Sequence, residues 1–190
     1  MKIAILIKGS YFLNKYNRSR KMVPQRIKQF YMNITDTMKK EDYDYVNKIL
    51  NEKEMNWFLK LSKSEQKHSL RNATDIENII DSNLISNEVI LNNKESLKRA
   101  SLLHDIGKSR KRLNVFDKSI IVILNKLTKG NLIKFKKSKK IQCYYRHSEY
   151  SYEILKDILD DKIILNIAKN HHNESDDEII KFFKSIDDKN

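Results

Sequence analysis

Three glycines and a single proline, Pro24, are the strongest breakers of regular structure available to 190 residues. Strands are bounded by turn residues every few positions, whereas helices need them only at their ends, so this scarcity favours an all-α fold. The apolar spacing agrees. Ile27, Phe30, Tyr31 and Ile34 predict a helix over 24–34, and helices follow over 41–50 and 52–62, the latter with Trp57, Phe58 and Leu61 as core candidates. Ser64 is the expected N-cap of a helix reaching 81. Another helix covers 93–105, and Gly107 sits where a left-handed C-terminal cap is wanted. An apolar helix over 116–128 carries Ile120, Ile121, Ile123, Leu124 and Leu127. A basic loop over 129–141 and helices over 147–160, 161–171 and 175–188 complete the chain.

The length suits one domain with a sizeable core. Residues 1–22 read as a basic amino-terminal arm or upstream extension, with Met22 as an alternative start. Residues 23–63 read as amino-terminal helices packing on the core, and 64–190 as the domain that carries the chemistry. The lone Cys143 excludes an internal disulfide, fits a cytoplasmic compartment and is expected as a small buried hydrophobe. No apolar run approaches the length of a membrane span, and no small-residue cleavage site follows the apolar Met1–Ile7.

The net charge of +13 is unevenly placed: residues 106–148 hold thirteen Lys and Arg against one acid, Asp117. Such a segment either attracts phosphate-bearing ligands, nucleic acid among them, or is a solvated surface. Tyr144, Tyr145, Tyr150 and Tyr152 are expected as helix-packing aromatics rather than base-stacking platforms.

The chemistry gathers around the adjacent pair His104–Asp105, at the end of an apolar helical run. Consecutive helical residues diverge by about a hundred degrees, so the two reach one metal centre most easily at a helix end. The other four histidines are His68, His147, His171 and His172, each beside an apolar face that can turn it inward. Imidazole and carboxylate together suit zinc, iron, manganese or related cations. A further carboxylate comes from the last helix. Asp187 follows Phe183 by four residues and Ile180 by seven, on the buried stripe, whereas Asp188 follows Lys181 and Lys184 on the wet face. A core-facing carboxylate is costly unless paired or metal-bound, so Asp187 is the better ligand. Asp176 and Asp177 instead suit the start of that helix.

This ordered set resembles the HD-domain superfamily of metal-dependent phosphohydrolases. His104-Asp105-Ile106-Gly107-Lys108 matches the HDIG motif, His147–Leu155 is similar to that subgroup's third-histidine helix, and His171–His172 to its paired histidines. The likeness runs over 64–188, about two thirds of the chain, and implies a single HD-type helical bundle with an amino-terminal helical extension. It implies that His68, His104, Asp105 and Asp187 hold one divalent metal. His147, His171 and His172 would hold a second ion, with Asp105 bridging both, the ions being Fe, Mn or similar, with Mg, Co, Ni or Zn as alternatives. Asp105 and Lys108 become the catalytic residues. A water between the ions would be activated for attack on phosphorus, and Lys108 would offer charge to a phosphoryl oxygen. Arg71, one turn after His68, is a further phosphate contact.

The implied function is cleavage of a phosphoester or phosphoanhydride of a nucleotide. The alternative is a metal-stabilised module that binds RNA or a signalling nucleotide without turnover. Two positions depart from the family pattern: Ser151 and Tyr152 stand where glycine and alanine are usual, and Tyr152 either narrows the pocket or points away from it. The Gly-Tyr-Pro signature of cyclic-di-GMP phosphodiesterases is missing. The fifteen residues from His172 to Asp187 resemble compact members such as the symmetric diadenosine tetraphosphate hydrolases.

Overall fold

A computed structural model describes residues 37–82 and 85–190. The expected helix over 24–34 and the arm over 1–22 lie outside the described residues. Those described form nine α-helices and two 3-10 turns, with no strand among them. In chain order the helices are α1 (Lys40–Asn47), α2 (Glu52–Phe58), α3 (Lys63–Asp81), α4 (Glu88–Leu91), α5 (Lys94–Leu103), α6 (Val115–Leu127), α7 (Lys139–Leu155), α8 (Lys162–Asn170) and α9 (Glu178–Asp187). The 3-10 turns are Ile106–Arg110 and Asn131–Lys134.

Short polar side chains set most helix starts. Asn51 and Glu54, Ser62 and Glu65, and Asn114 and Asp117 form reciprocal capping boxes at α2, α3 and α6. Asp161 and Asp177 cap α8 and α9 by accepting two backbone N–H groups each. The cap of α3 is therefore Ser62 rather than Ser64, because Ser62 has Glu65 three residues on to complete the box. α7 begins at Lys139, eight residues before His147, and the basic stretch before it is partly 3-10. The four-residue α4 has too short an apolar pattern to be read from sequence.

The main core takes Val46, Leu50, Phe58 and Leu61 from the α1–α2 region, Leu70, Ala73 and Ile76 from α3, and Leu97, Ala100, Leu102 and Leu103 from α5. α8 and α9 close it with Ile164, Ile167, Ile180, Phe183 and Ile186. A second, smaller cluster of Leu113, Ile121, Leu132 and Ile141 joins α6 to α7. Of the apolar residues expected in α6, only Ile121 is buried; Ile120, Ile123, Leu124 and Leu127 face solvent. One ion pair is set deep in the fold. Glu54 is fully buried and bound by the Arg99 guanidinium through both Nε (3.0 Å) and Nη2.

Gly107 is not a left-handed cap; among the described residues only Lys129 and Gly130 have positive φ. Its backbone packs against α7, where a Cβ would lie 2.1 Å from the His147 carbonyl oxygen and 2.6 Å from the Ser151 nitrogen. The Gly107 N–H donates to Ser151 Oγ at 2.8 Å. The chain thus needs glycine here for close approach, not for an unusual dihedral angle.

Candidate metal centre

Five helix segments deliver the site. His68 lies in the second turn of α3, His104 and Asp105 follow the last turn of α5, and His147 sits midway along α7. His171 and His172 follow α8, and Asp187 ends α9. Placing His104 and Asp105 where α5 gives way to the 3-10 turn frees both side chains to face one centre. The same holds for His171 and His172.

All seven side chains converge. His68 Nε2 is 2.9 Å from Asp187 Oδ1, and His104 Nε2 lies 3.4 Å from that oxygen and 3.3 Å from Asp105 Oδ2. The other oxygen of Asp105, Oδ1, is 3.4 Å from His147 Nε2 and 3.7 Å from His171 Nε2. His147 and His172 bring their Nε2 atoms to 2.7 Å of each other. Asp105 is therefore shared between two groups, His68 and His104 on one side and His147, His171 and His172 on the other, each spaced to hold a cation.

The histidines are oriented by the backbone. Nδ1 of His104 donates to the Ser101 carbonyl (2.9 Å), that of His147 to Tyr144 (2.9 Å), and that of His171 to Ile167 (3.0 Å) and Ala168 (3.2 Å). A carbonyl only accepts, so the proton of the neutral ring sits on Nδ1 and the Nε2 lone pair points inward. His104 Nε2, His171 Nε2 and Asp105 Oδ1 are buried there without a hydrogen-bond partner. Such orphans cost about 1–3 kcal/mol each unless something satisfies them. The His104 acceptor on one side of Asp105, and those of His171 and Asp105 Oδ1 on the other, fit divalent cations.

The charges agree with that donor set. Burial opposes ionisation of Asp105 and Asp187. Lys108 and His104 nevertheless hold Asp105, and His104 and His68 hold Asp187, well below the usual carboxylate range. Burial and Lys108 push His147 down to about 4, and burial and His104 push His171 down to about 3. Both are therefore neutral imidazoles at ordinary pH. Burial also resists a charge on His104, but Asp105 and Asp187 outweigh it and raise the imidazole to about 10. Without a metal, that proton balances the two carboxylates.

Lys108 Nζ contacts Asp105 Oδ2. It also lines a cavity of about 440 Å³ that opens beside His147 and His172. Lys111 and Lys118 bring further positive charge to this cavity, while Leu113, Cys143, Tyr144 and Tyr145 make its apolar side. Cys143 is buried with Sγ 3.8 Å from the Gly107 and Lys108 carbonyls, and burial pushes its thiol up, as suits a packing residue. Tyr144 and Tyr145 pack on the small core and so serve both cavity and fold. Tyr152 points away from the cavity, with the Lys169 ammonium 4.9 Å from its ring centre. Arg71 is half-buried on α3, three residues after His68.

Three polar residues that the sequence does not single out also shape the site. Asn72 is buried and donates from Nδ2 to Asp187 Oδ1 at 2.8 Å, steering that carboxylate; its only signal was its place one turn after His68. Glu65 lines the cavity and pairs with Lys118 at 3.2 Å. Burial resists its ionisation, but Lys118, Lys108 and Ser62 prevail and lower its pKa. In the sequence Glu65 is simply an acid near the start of α3. Lys118 was one lysine among many until its ammonium met Glu65.

Comparison with known proteins places this geometry. A family model described as HD domain matches residues 66–187, well over half of the chain and bracketing six of the seven converging residues in full, with Asp187 at its last position. No curated protein and no solved structure gives a significant match. HD domains bind divalent metals and are in general metal-dependent hydrolases acting on phosphate-containing substrates. On this match, and with an all-helical architecture to agree with it, the chain belongs to the HD domain family.

Proposed function

We propose that this protein hydrolyses a phosphoester or phosphoanhydride of a nucleotide at a two-ion centre. His68, His104, Asp105 and Asp187 would hold one ion. Asp105 with His147, His171 and His172 would hold the other. The observation that carries this reading is the convergence of buried, unpartnered Nε2 and Oδ1 atoms from His104, His171 and Asp105. A binding surface alone has no use for so many desolvated acceptors.

Bound metal would supply Lewis acidity and a water of lowered pKa. The protein's own groups do the rest. The backbone carbonyls of Ser101, Tyr144 and Ile167 keep three imidazoles in the ligand tautomer. Lys108, beside Asp105 and facing the cavity, would leave its contact with Asp105 to meet a phosphoryl oxygen as charge develops. Lys111 and Lys118 would draw the remaining phosphates into the cavity, and Arg71 is a further proposed phosphate contact. The apolar wall of Leu113, Tyr144 and Tyr145 suits a nucleobase, and a volume of about 440 Å³ is within the range of small-molecule sites.

The test is turnover by the full chain loaded with Mn²⁺ or Fe²⁺, on a panel of nucleoside phosphates, dinucleoside polyphosphates and phosphodiesters. At least one should be hydrolysed, with Asp105→Asn lowering the rate by about a thousandfold or more. Loaded protein that turns over nothing, yet binds RNA with an affinity falling steeply in salt, would favour the non-hydrolytic alternative.

A further inference from the structure

α6 presents an apolar stripe to solvent. Phe116, Ile120, Ile123 and Leu127 recur at spacings of four, three and four residues, which keeps them on one side of the helix. They are 77, 54, 59 and 74% exposed, whereas Ile121, on the opposite side, is buried in the small core. A stripe of this kind on a folded surface marks an interaction site.

Its surroundings limit what can cover it. Residues 115–140 hold eight lysines against one acid, Asp117. Lys118 is paired with Glu65 and Lys140 with Asp117. Lys126, Lys129, Lys134, Lys136, Lys137 and Lys139 are exposed and have no ion-pair partner among the described residues. A second copy would cover the stripe but would set this lysine-rich rim against itself. Residues 1–36 carry eight Lys and Arg against Asp36, so they too bring like charge. A nucleic acid would satisfy the lysines and leave four large apolar side chains in water. A lipid bilayer with anionic headgroups satisfies both, because it offers phosphates at its surface and hydrocarbon just beneath.

We propose that α6 docks this protein on an anionic membrane surface. Phe116, Ile120, Ile123 and Leu127 enter the boundary between headgroups and acyl chains, and the lysines between 126 and 139 contact the lipid phosphates. The helix lies on the membrane rather than crossing it; among the described residues no helix is long and apolar enough to span one.

The test is co-sedimentation of the full chain with vesicles of phosphatidylcholine alone or with about one third phosphatidylserine. Binding to the anionic vesicles should exceed binding to neutral ones by about tenfold or more and fall as salt rises. The double variant Ile123→Ser/Leu127→Ser should weaken it about tenfold with an unchanged circular dichroism spectrum, since both side chains are exposed. Lys126→Glu/Lys129→Glu should weaken it comparably. Failure to bind anionic vesicles, or binding indifferent to both variants, would overturn the proposal. So would single-stranded RNA binding that explains the lysine effect alone, or a dimer that dissolves in Ile123→Ser/Leu127→Ser.

Discussion

Gly107 and His147 are locked together: a Cβ on the glycine would stand 2.1 Å from the histidine's carbonyl oxygen. The turn that follows the His104–Asp105 pair thus lies directly on the backbone of the helix that delivers His147. Across this contact Asp105 Oδ1 and His147 Nε2 come within 3.4 Å. The glycine sets the spacing between the two halves of the centre.

Gly107→Ala is therefore expected to push α7 outward, costing about 1–3 kcal/mol or more of stability. It should also lower the metal content of the purified protein. Thermal denaturation and elemental analysis check both; an unchanged melting temperature with full metal content would refute the packing argument.

Asn72 should matter to the metal without being a ligand. Its Nδ2 holds Asp187 Oδ1 at 2.8 Å, and the same oxygen faces His68 at 2.9 Å. Asn72→Ala is expected to weaken metal affinity about 10–100-fold, as loss of a ligand's supporting hydrogen bond does. Calorimetric titration of Mn²⁺ into metal-free wild type and variant would measure it. Equal affinities would show that Asp187 is held by its other neighbours.

Removing Arg99 should destabilise the protein far more than its half-buried side chain suggests. It leaves the Glu54 carboxylate fully buried and without its cation. Breaking such a pair from one side costs about 3–5 kcal/mol. Chemical denaturation of Arg99→Ala should show that loss. Replacing both partners, as in Arg99→Met/Glu54→Gln, should recover part of it.

The metal-free protein should lose stability on both sides of neutrality. His147 and His171 titrate near 4 and near 3 in the fold, against about 6.5 for an unfolded histidine. Below about 6.5 the unfolded chain therefore takes up protons that the fold refuses, and stability falls as pH drops toward 4. His104, raised to about 10, acts in the opposite sense: its contribution is present below about 6.5 and is lost as pH climbs toward 10. Melting temperatures of chelator-treated protein should peak near neutrality and fall by several degrees by about pH 5. A curve flat from pH 5 to 9 would contradict this assignment. His172, pushed down to about 4 by burial and by His171, acts in the same sense as His147 and His171, weakened by solvent at its exposed rim.

Much of the centre was legible in the chain because its signals are local. The scarcity of glycine and proline makes the protein helical, and the apolar register of the last helix turns Asp187 inward while leaving Asp188 exposed. The order of five histidines, His104–Asp105 and Asp187 pointed to one metal-binding family. Other features depend on separations that no local pattern encodes. Gly107 looked like a helix cap until α7 lay against it. Asn72 became a partner of Asp187 only when residues 115 positions apart in sequence met. Tyr152 was ambiguous until Lys169 stood over its ring. Ile120, Ile123 and Leu127 mark an apolar helix in the sequence, but hydropathy identifies an apolar stripe and not whether another element covers it. Sequence determined which side chains can bind metal and which helices carry them. Tertiary packing decided which approach each other, because burial, close contact and charge pairing are set by distances in space.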